Sequence, residues 1–507
     1  MELKRCRGRG FRYAWLLICC LMTVLPGIGQ TAASAATAPN IIVILADDLG
    51  YGDIGSFGAE LIDTPHIDQL AADGIRFTQF YSASAICTQS RAGLLTGRYS
   101  VRMGIKGVFM HDAYGGMSTS ELTIAEQLKK VGYHTGMVGK WHLGHLDRFM
   151  PWNQGFDEFY GVPYSNDMPN FFFYENQEII YEPIDQRYLT RRYTKKATDY
   201  IERHADQPFF LYLAHNMPHV PLYVSPEFEG TSGRGLYGDV VQELDWSTGE
   251  LVEKLRALNL LDNTIIVFTS DNGPWLAMGA HGGSAGLLRD GKITAFEGGQ
   301  RVPTVMHWPA QIKRGRVDNS LASAVDLLPT FSALAGVAIP DDRVIDGEDI
   351  TSVLIGEGER ERQQFYYMAP YSDTVAAYRD GDWKLKLPRS GYPKFLDVIL
   401  RLNRYSHGLL LFNLRDDPYE KYNLADEHPE RVARMQQAIS DLEAGVAAEK
   451  PPTPYTTATE QDHKGYGPLM VRAVITALLA LLVTIAGLYG VYRLIKVGFK
   501  TLKDGSI

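Results

Sequence analysis

Cysteine is scarce in this chain, and its distribution excludes a disulfide-stabilised fold. Three of the four cysteines, Cys6, Cys19 and Cys20, lie in the first 35 residues, so the rest of the chain contains only Cys87. No intrachain disulfide can form there. In an oxidising compartment an unpaired thiol is a liability unless it is buried, modified or used, so Cys87 requires a specific explanation.

The sequence also lacks an excess of positive charge and lacks acceptors for N-glycosylation. The formal net charge is −9. Residues 1–35 contain five basic groups and Glu2, so without them the net charge is about −13. This acidic balance disfavours a nucleic-acid partner. The absence of any Asn-x-Ser/Thr triplet, together with the absence of disulfides, favours a bacterial envelope protein.

The first 35 residues have the pattern of a secretory signal peptide. A basic stretch, residues 1–12, precedes an apolar run, residues 13–28, and a string of small residues, 32–36. These correspond to the n-region, the h-region and the cleavage site of a signal peptide. An uncleaved anchor is the alternative, but the apolar run is short for a membrane span. We therefore predict a signal peptide over residues 1–35 and an exported protein.

A second apolar run, residues 473–492, predicts a membrane anchor at the other end of the chain. It contains no charged residue and is long enough to cross a hydrocarbon core of ~30 Å. Basic residues are denser in 493–507 than before the run, which predicts a cytosolic tail. Residues 450–472 contain Pro, Thr and Gly and predict a tether. The globular part would then be periplasmic or extracellular, attached to the membrane through this helix.

Short β-branched runs alternate with helical patterns over residues 36–360. Such strand-like runs occupy residues 40–45, 134–138, 209–213, 264–269 and 302–307. Helical periodicity occupies residues 120–131 and 237–258. This alternation predicts an α/β catalytic domain, in which helices cover both faces of a sheet.

Residues 361–449 have a different pattern, which predicts a smaller α+β subdomain. Aromatic, alternating segments occur at residues 365–368, 383–387 and 409–414. An amphipathic helix is predicted near residues 430–442.

Two predicted strands end in oxygen-bearing side chains. Asp47 and Asp48 follow the strand at residues 40–45, and Asp271 and Asn272 follow the strand at residues 264–270. Open α/β sheets bind ligands at the carboxyl ends of their strands. Oxygen ligands suit Ca²⁺ or Mg²⁺. The two strand ends can therefore converge on one metal ion, although an acidic pair taken alone is more often part of a turn or a helix cap.

Residues 87–98 have the sequence CTQSRAGLLTGR. This segment resembles the signature of the sulfatase family, which is Cys or Ser, any residue, Pro, a Ser-like residue and Arg, followed by a hydrophobic turn and Thr-Gly-Arg. The one departure is Gln89 in place of proline. Further motifs occur in the family's order: DDLGYGD (47–53), GKWHLG (139–144), PHVPL (218–222), SDNG (270–273), GKITAFEGGQRVP (291–303) and DPYEKYNLA (417–425).

The resemblance implies an alkaline-phosphatase-like α/β fold, with a large mixed β-sheet sandwiched by helices. It implies an enzyme that hydrolyses sulfate monoesters of aryl compounds or carbohydrates. The nucleophile would be formylglycine, produced from Cys87 by a maturation enzyme. One metal ion, Ca²⁺ rather than Mg²⁺, would be held by Asp47, Asp48, Cys87, Asp271 and Asn272.

The resemblance also assigns roles to five other residues. Arg91 would orient the nucleophile, and Lys140 would contact the nucleophile or the sulfate. Lys292 would bind the sulfate, His142 would act as the base, and His219 would protonate the leaving oxygen. The nearby His215 competes for the acid role, but the family's His-x-Pro pattern matches His219. Other residues beside the motifs are interpreted as structural, with His281 also a substrate-contact candidate: Asp53, His145, His281 and Glu297.

Two other functions stay open on the sequence alone. One is a phosphoester or phosphonate hydrolase of the alkaline-phosphatase superfamily, to which sulfatases belong. The phosphatases of that superfamily need a second metal ion, and Lys140 and Lys292 would occupy the corresponding space here. The other is a membrane-tethered, carbohydrate-binding pseudosulfatase in which Cys87 stays a thiol. The aromatic run 171–174, with Trp152, would suit a sugar platform, but core packing is the commoner fate of such a run.

Overall fold

The computed structural model describes residues 38–169, 171–180, 184–358, 360, 363–389 and 408–449. All elements belong to the unit that begins at Pro39. The strands are β1 (Asn40–Ala46), β2 (Ile75–Phe77), β3 (Phe80–Tyr81), β4 (His134–Lys140), β5 (Glu158–Val162), β6 (Phe173–Glu175), β7 (Glu178–Ile180), β8 (Phe209–Ala214), β9 (Thr264–Ser270), β10 (Thr304–His307), β11 (Arg316–Asp318), β12 (Ala322–Ser323), β13 (Gln364–Met368), β14 (Val375–Asp380), β15 (Trp383–Lys386) and β16 (Leu410–Asn413). The α-helices are α1 (Pro65–Asp73), α2 (Cys87–Thr96), α3 (Ile124–Lys129), α4 (Leu189–Arg203), α5 (Leu236–Ala257), α6 (Glu297–Gln300), α7 (Leu327–Leu334), α8 (Thr351–Ile355) and α9 (Pro429–Ala448).

The large sheet has ten strands in the order β11-β2-β10-β9-β1-β8-β4-β5-β6-β7. Its centre, β9-β1-β8-β4-β5, is parallel, whereas β10 pairs antiparallel with β9, and β6 pairs antiparallel with β5. Every residue of β1 and β9 is buried, as expected for apolar strands covered on both faces. The prediction of an α/β fold with a large mixed sheet is therefore confirmed.

Helices α4 and α5 cover one face of this sheet. Tyr193 and Ala197 of α4 share a buried core with Ile42 and Ile44 of β1, and Leu244 of α5 belongs to the same core. Helix α3 is shorter than the helix predicted over residues 120–131 because a capping box fixes its start. Thr123 accepts a hydrogen bond from the Glu126 amide, and the Glu126 carboxylate accepts one from the Thr123 amide.

A second, antiparallel sheet has the order β13-β14-β15-β16. Phe365, Val375 and Leu385 share a core with Met435 and Ile439 of α9. Strands β13, β15 and β16 and helix α9 fall on the segments predicted in residues 361–449, whereas β14 was not predicted. The domain boundaries at residues 360 and 449 stay predictions.

Several predicted segments lie outside the described residues: the signal peptide (1–35), the tether (450–472), the anchor (473–492) and the tail (493–507). Among the residues that the structure does describe, none of the helices has the length and apolar character required to cross a membrane.

Candidate active site

Two neighbouring strand ends bring four oxygen-bearing side chains together. Ala46, the last residue of β1, lies beside Ser270, the last residue of β9. The residues that follow therefore meet at one edge of the sheet. The Asp48 amide donates a hydrogen bond to Asp271 Oδ1 at 3.1 Å, and Asn272 Nδ2 donates one to Asp48 Oδ1 at 2.7 Å.

Cys87 lies over this edge as the first residue of α2. Its buried Sγ atom is 3.6 Å from Asp47 Oδ1 and 3.4 Å from Lys292 Nζ. Burial raises the pKa of the thiol to about 12, although Lys140 and Lys292 act in the opposite direction. The thiol is thus protonated at neutral pH, and a protonated thiol is a weak nucleophile.

Arg91, one helical turn after Cys87, binds the carboxylates of Asp47 and Asp271. Its fully buried guanidinium donates from Nε to Asp271 Oδ2 at 2.9 Å and from Nη1 to the Lys140 carbonyl at 2.9 Å. Its Nη2 atom is 3.5 Å from Asp47 Oδ2. Burial opposes ionisation of Asp47, but Lys140 and Arg91 outweigh it and lower the pKa of this carboxyl.

Two lysines complete the charge balance of the site. Lys140, the last residue of β4, donates to Asp47, and Lys292 Nζ is 2.6 Å from Asp48 Oδ1. Although burial opposes the charge of Lys292, the neighbouring Asp48 raises its pKa well above the usual value. The carboxylates of Asp47, Asp48 and Asp271 are therefore paired with basic side chains. Repulsion among these carboxylates is therefore offset by the protein's own cations.

Part of the predicted ligand set is gathered closely enough to hold one cation. Ligand atoms of Asp47, Asp48 and Cys87, together with one of His219, lie within 4.8 Å of one another. Asp271 is not in this group, and its two oxygens accept from the Asp48 amide and from Arg91 Nε. The Oδ1 atom of Asn272 is buried at the same edge and has no hydrogen-bond partner. A buried acceptor without a partner is costly, and a bound Ca²⁺ or Mg²⁺ would satisfy it.

The hydrogen bonds of His142 define its tautomer. Nε2 is 3.1 Å from the carbonyl oxygen of Phe109, so Nε2 carries the proton and donates it. Nδ1 is buried and has no hydrogen-bond partner, which leaves its lone pair available. Burial, and then Lys140, hold the pKa of His142 well below its usual value, so the ring is neutral.

His219 is oriented by its other ring nitrogen. Nδ1 is 2.5 Å from the Val220 carbonyl and therefore donates, while Nε2 points at Asp48 at 3.7 Å. His215 lies elsewhere, with Nε2 3.4 Å from Ser247 Oγ, and burial lowers its pKa to about 3. Of the two histidines, His219 is the one that faces Asp48.

The structure adds two residues that the sequence analysis missed. The Ser165 hydroxyl lies 3.3 Å from Lys140 Nζ and 3.5 Å from His219 Nδ1. The Trp275 ring lies beside His219 and Lys292. Ser165 follows β5, which pairs in parallel with β4, so only the strand order brings it to this edge. Trp275 stands two residues after the SDNG motif, and that position was the available signal.

Other residues beside the motifs have structural contacts. Asp53 accepts hydrogen bonds from the Gly50 and Ser284 amides and from the Tyr237 hydroxyl. The His145 ring lies 5.9 Å from that of Tyr164.

Within the aromatic run at residues 171–174, Phe173 is part of the core and packs against Tyr160 and Tyr193. Trp152 packs against Phe159 and Tyr174. His281 is exposed, at the end of the short 3₁₀ helix Leu276–His281.

Gln89 is buried in the first turn of α2. Its Oε1 atom accepts from Ser84 Oγ at 2.8 Å, and its Nε2 atom donates to the carbonyls of Ile105 at 2.9 Å and Ser372 at 3.3 Å. Glutamine therefore has a packing role in the folded protein that proline would not fill.

Comparison with known proteins identifies relatives along most of the chain. A family profile described as Sulfatase matches residues 39–337, and one described as N-sulphoglucosamine sulphohydrolase, C-terminal, matches residues 290–445. The chain is 40% identical to arylsulfatase A of Bos taurus over 81% of its own length and 88% of that protein. It is 38% identical to N-acetylgalactosamine-6-sulfatase of Mus musculus, over 85% and 91% of the two chains.

Among solved structures, the chain resembles a Bacteroides thetaiotaomicron protein studied in the metabolism of multiple glycosaminoglycans. The TM-score is 0.74 and the sequence identity is 31%, and the match covers 80% of this chain and 100% of the other.

Proposed function

Because the chain belongs to the sulfatase family and is a sulfuric ester hydrolase, we propose that it releases sulfate with a formylglycine made from Cys87 and one divalent metal ion. The observation that supports this most strongly is the convergence on Cys87 Sγ of Asp47 and Lys292. A buried cysteine whose thiol is held protonated would contribute little as a nucleophile in that position.

Conversion of Cys87 to formylglycine would change the reactive groups available at position 87. A hydrated formylglycine supplies two hydroxyl groups, so one can attack sulfur and the other can later release sulfate without attack by water. His142 is suited to accept the proton of the second hydroxyl, since its Nδ1 lone pair is unpartnered and its ring is neutral. Lys140 and Lys292 are suited to neutralise the sulfate oxygens.

Asp47, Asp48, Asp271 and Asn272, with position 87, would hold the metal ion, which we propose to be Ca²⁺ rather than Mg²⁺. A bound cation would polarise the ester and offset its negative charge. Arg91 keeps Asp47 and Asp271 fixed relative to the helix that carries position 87.

His219 is the proposed acid for the leaving oxygen. When protonated it carries a proton on Nε2, because Nδ1 already donates to Val220. Ser165 contacts both His219 and Lys140, so it links the proposed acid to the lysine that binds Asp47. A leaving alcohol of high pKa, such as a sugar hydroxyl, needs this proton most.

We propose a sulfated carbohydrate as the substrate class. Two of the relatives named above act, by name, on N-acetylgalactosamine 6-sulfate or belong to glycosaminoglycan metabolism. We also propose that the enzyme is exported and works outside the cytoplasm, on the basis of residues 1–35. Its anchor at residues 473–492 and its formylglycine-generating maturation enzyme remain predictions.

The test combines one mass spectrum with one pair of substrates. Purified protein is digested, and the Cys87 peptide is examined for the mass difference between a thiol and an aldehyde side chain. The rate of 4-nitrophenol release from 4-nitrophenyl sulfate and from 4-nitrophenyl phosphate is then compared between wild type and Cys87→Ala. We expect the aldehyde form and faster release from the sulfate ester, lost in Cys87→Ala. An intact thiol without sulfate release would indicate the pseudosulfatase, and faster release from the phosphate ester would indicate a phosphohydrolase.

A further inference from the structure

We propose that Trp275, with the exposed residues Leu276 and Met278, forms a subsite for the ring of the leaving alcohol, either a pyranose or an aryl ring. This inference rests on the proposed function, because it uses the same reaction centre. It assigns a recognition role to residues outside the sulfate-binding cluster.

The position of Trp275 relative to the reaction centre supports this subsite. The centroid of its ring lies 5.8 Å from that of His219, with 49° between the planes. Lys292 Nζ lies 4.8 Å from the same centroid. His219 is the proposed acid for the leaving oxygen, and Lys292 the proposed sulfate ligand. A ring attached to the leaving oxygen must therefore pass close to Trp275.

The backbone holds Trp275 in place before any ligand binds. The Lys292 amide donates to the Pro274 carbonyl at 2.9 Å, and the Met278 amide donates to the Trp275 carbonyl at 2.9 Å. A Cβ atom on Gly291 would lie 2.1 Å from the Pro274 oxygen, so glycine there permits the close approach of these two segments. With its backbone fixed in this way, Trp275 has only its side-chain torsions to order on binding, which keeps the entropic cost low.

The surface chemistry around Trp275 differs from that of the buried cluster beneath it. Trp275 is half-buried, and Leu276 and Met278 are 40% and 37% exposed. A sulfate group gains nothing from such a surface, whereas the apolar face of a pyranose or an aryl ring packs on it. The patch also adjoins His219 and Lys292, which favours the substrate's own leaving group as its occupant.

The experiment compares Trp275→Ala and Trp275→Phe with Trp152→Ala, a tryptophan that packs against Phe159 and Tyr174 away from His219 and Lys292 in the contacts described above. Using 4-nitrophenyl sulfate, we expect Trp275→Ala to lower kcat/KM about tenfold or more, and Trp275→Phe to recover most of the loss. Inhibition by inorganic sulfate, which lacks a ring, should change by less than about twofold, since this ligand makes no ring contact. Trp152→Ala should match wild type.

A second measurement does not depend on catalysis. Binding of the ring compounds 4-nitrophenol and N-acetylgalactosamine is followed by ligand-observed NMR in the same variants, and we expect weaker binding in Trp275→Ala only. Equal ring binding in wild type and Trp275→Ala overturns the subsite even if no sulfate is released. An equal loss of sulfate inhibition also overturns it, because Trp275 would then only position Lys292. A monomer produced from a wild-type dimer by Trp275→Ala, with ring binding unchanged, would instead identify an interface.

Discussion

Two buried charge clusters in this protein use similar residue types for different purposes. The first, called the catalytic cluster for its proposed role, consists of Asp47, Asp48, Cys87, Arg91, Lys140, His142, His219, Asp271, Asn272 and Lys292. The junction cluster consists of Tyr81, Glu297, Tyr367, Arg379, Lys384 and Glu420. In the junction cluster, Lys384 of β15 pairs with Glu297 at 2.9 Å and with Glu420 at 2.8 Å, which ties the small sheet to α6.

The difference lies in which atoms are left for a ligand. Glu297 uses both carboxylate oxygens internally, since it accepts from the hydroxyls of Tyr81 and Tyr367 at 2.5 Å each. In the catalytic cluster, by contrast, His142 Nδ1 and Asn272 Oδ1 are buried without a partner. Burial and charge alone therefore do not distinguish the two clusters. The Glu420 Oε1 atom of the junction cluster has no hydrogen-bond partner either, but it lies 2.8 Å from Lys384 Nζ, whereas His142 Nδ1 and Asn272 Oδ1 are left for a ligand.

The largest effect is expected from Cys87→Ala in the catalytic cluster. Removing the nucleophile should lower kcat/KM for sulfate esters by at least about 10,000-fold. Thermal unfolding should change little, because Sγ is a small part of the buried volume. Circular dichroism melts and sulfate release measured on one preparation check this. Substantial activity in pure Cys87→Ala would contradict the assigned nucleophile.

The next-largest effect is expected from removal of the divalent metal ion, which should affect the catalytic cluster and not the junction cluster. Exhaustive chelation should abolish sulfate release, and added Ca²⁺ should restore it, while the junction cluster contains no proposed ligand. Metal binding should also raise the melting temperature, with stabilisation of about 2.7 kcal/mol at a concentration of 100 Kd. Full activity after chelation, verified by elemental analysis, would refute the metal site.

The loss of activity in His219→Ala should depend on how strongly the leaving group needs a proton. We expect a loss of about 100- to 10,000-fold for a carbohydrate sulfate and a smaller loss for 4-nitrophenyl sulfate, whose phenolate departs without a proton. Burial, and then Lys292, lower the pKa of His219 below 6.5. The acid form is needed, so kcat/KM of wild type should fall as pH rises through that lowered pKa. Equal losses for both leaving groups would exclude the acid role.

Lys384→Met should affect stability rather than chemistry. Both Glu297 and Glu420 would stay buried without their shared cation, at a cost of about 3–5 kcal/mol in unfolding free energy. Denaturant unfolding measures this, and kcat/KM of the folded enzyme should remain near wild type. A matched Lys384→Met, Glu420→Gln double variant should regain part of the stability. If Lys384→Met had normal stability but no activity, the junction cluster would have a role in catalysis rather than in stability.

The smallest effect is expected from Gln89→Pro, the position at which the chain departs from the family signature. The first turn of a helix tolerates proline, but Ser84 and Ile105 would lose their side-chain partner, at a cost of about 1–3 kcal/mol. The fraction of aldehyde at position 87 should rise. Activity per aldehyde should stay constant, as mass spectrometry and kinetics on the same sample can show. An unchanged aldehyde fraction would mean that this proline is not required for conversion.

The sequence predicted the parts of the site that depend on local pattern. Strands β1 and β9 were recognisable from β-branched runs, and the acidic residues directly follow them. The presence of Ser165 in the site was not predictable, because it depends on the pairing of β5 with β4, which local sequence does not specify. The tautomer of His142 likewise depends on the Phe109 carbonyl, 33 residues away in sequence. Glu297 was interpreted as structural without its partners, since Lys384 lies 87 residues further along the chain.

The burial of Cys87 has a consequence for how active enzyme is made. The side chain is 2% exposed at the start of a helix that is itself buried throughout. A maturation enzyme cannot reach such a side chain once α2 has packed against the sheet. If Cys87 is converted to formylglycine as proposed, conversion and folding are competing reactions of the newly made chain, and molecules that fold first remain thiols. The yield of active enzyme is then governed by the ratio of two rates, and slower folding increases it.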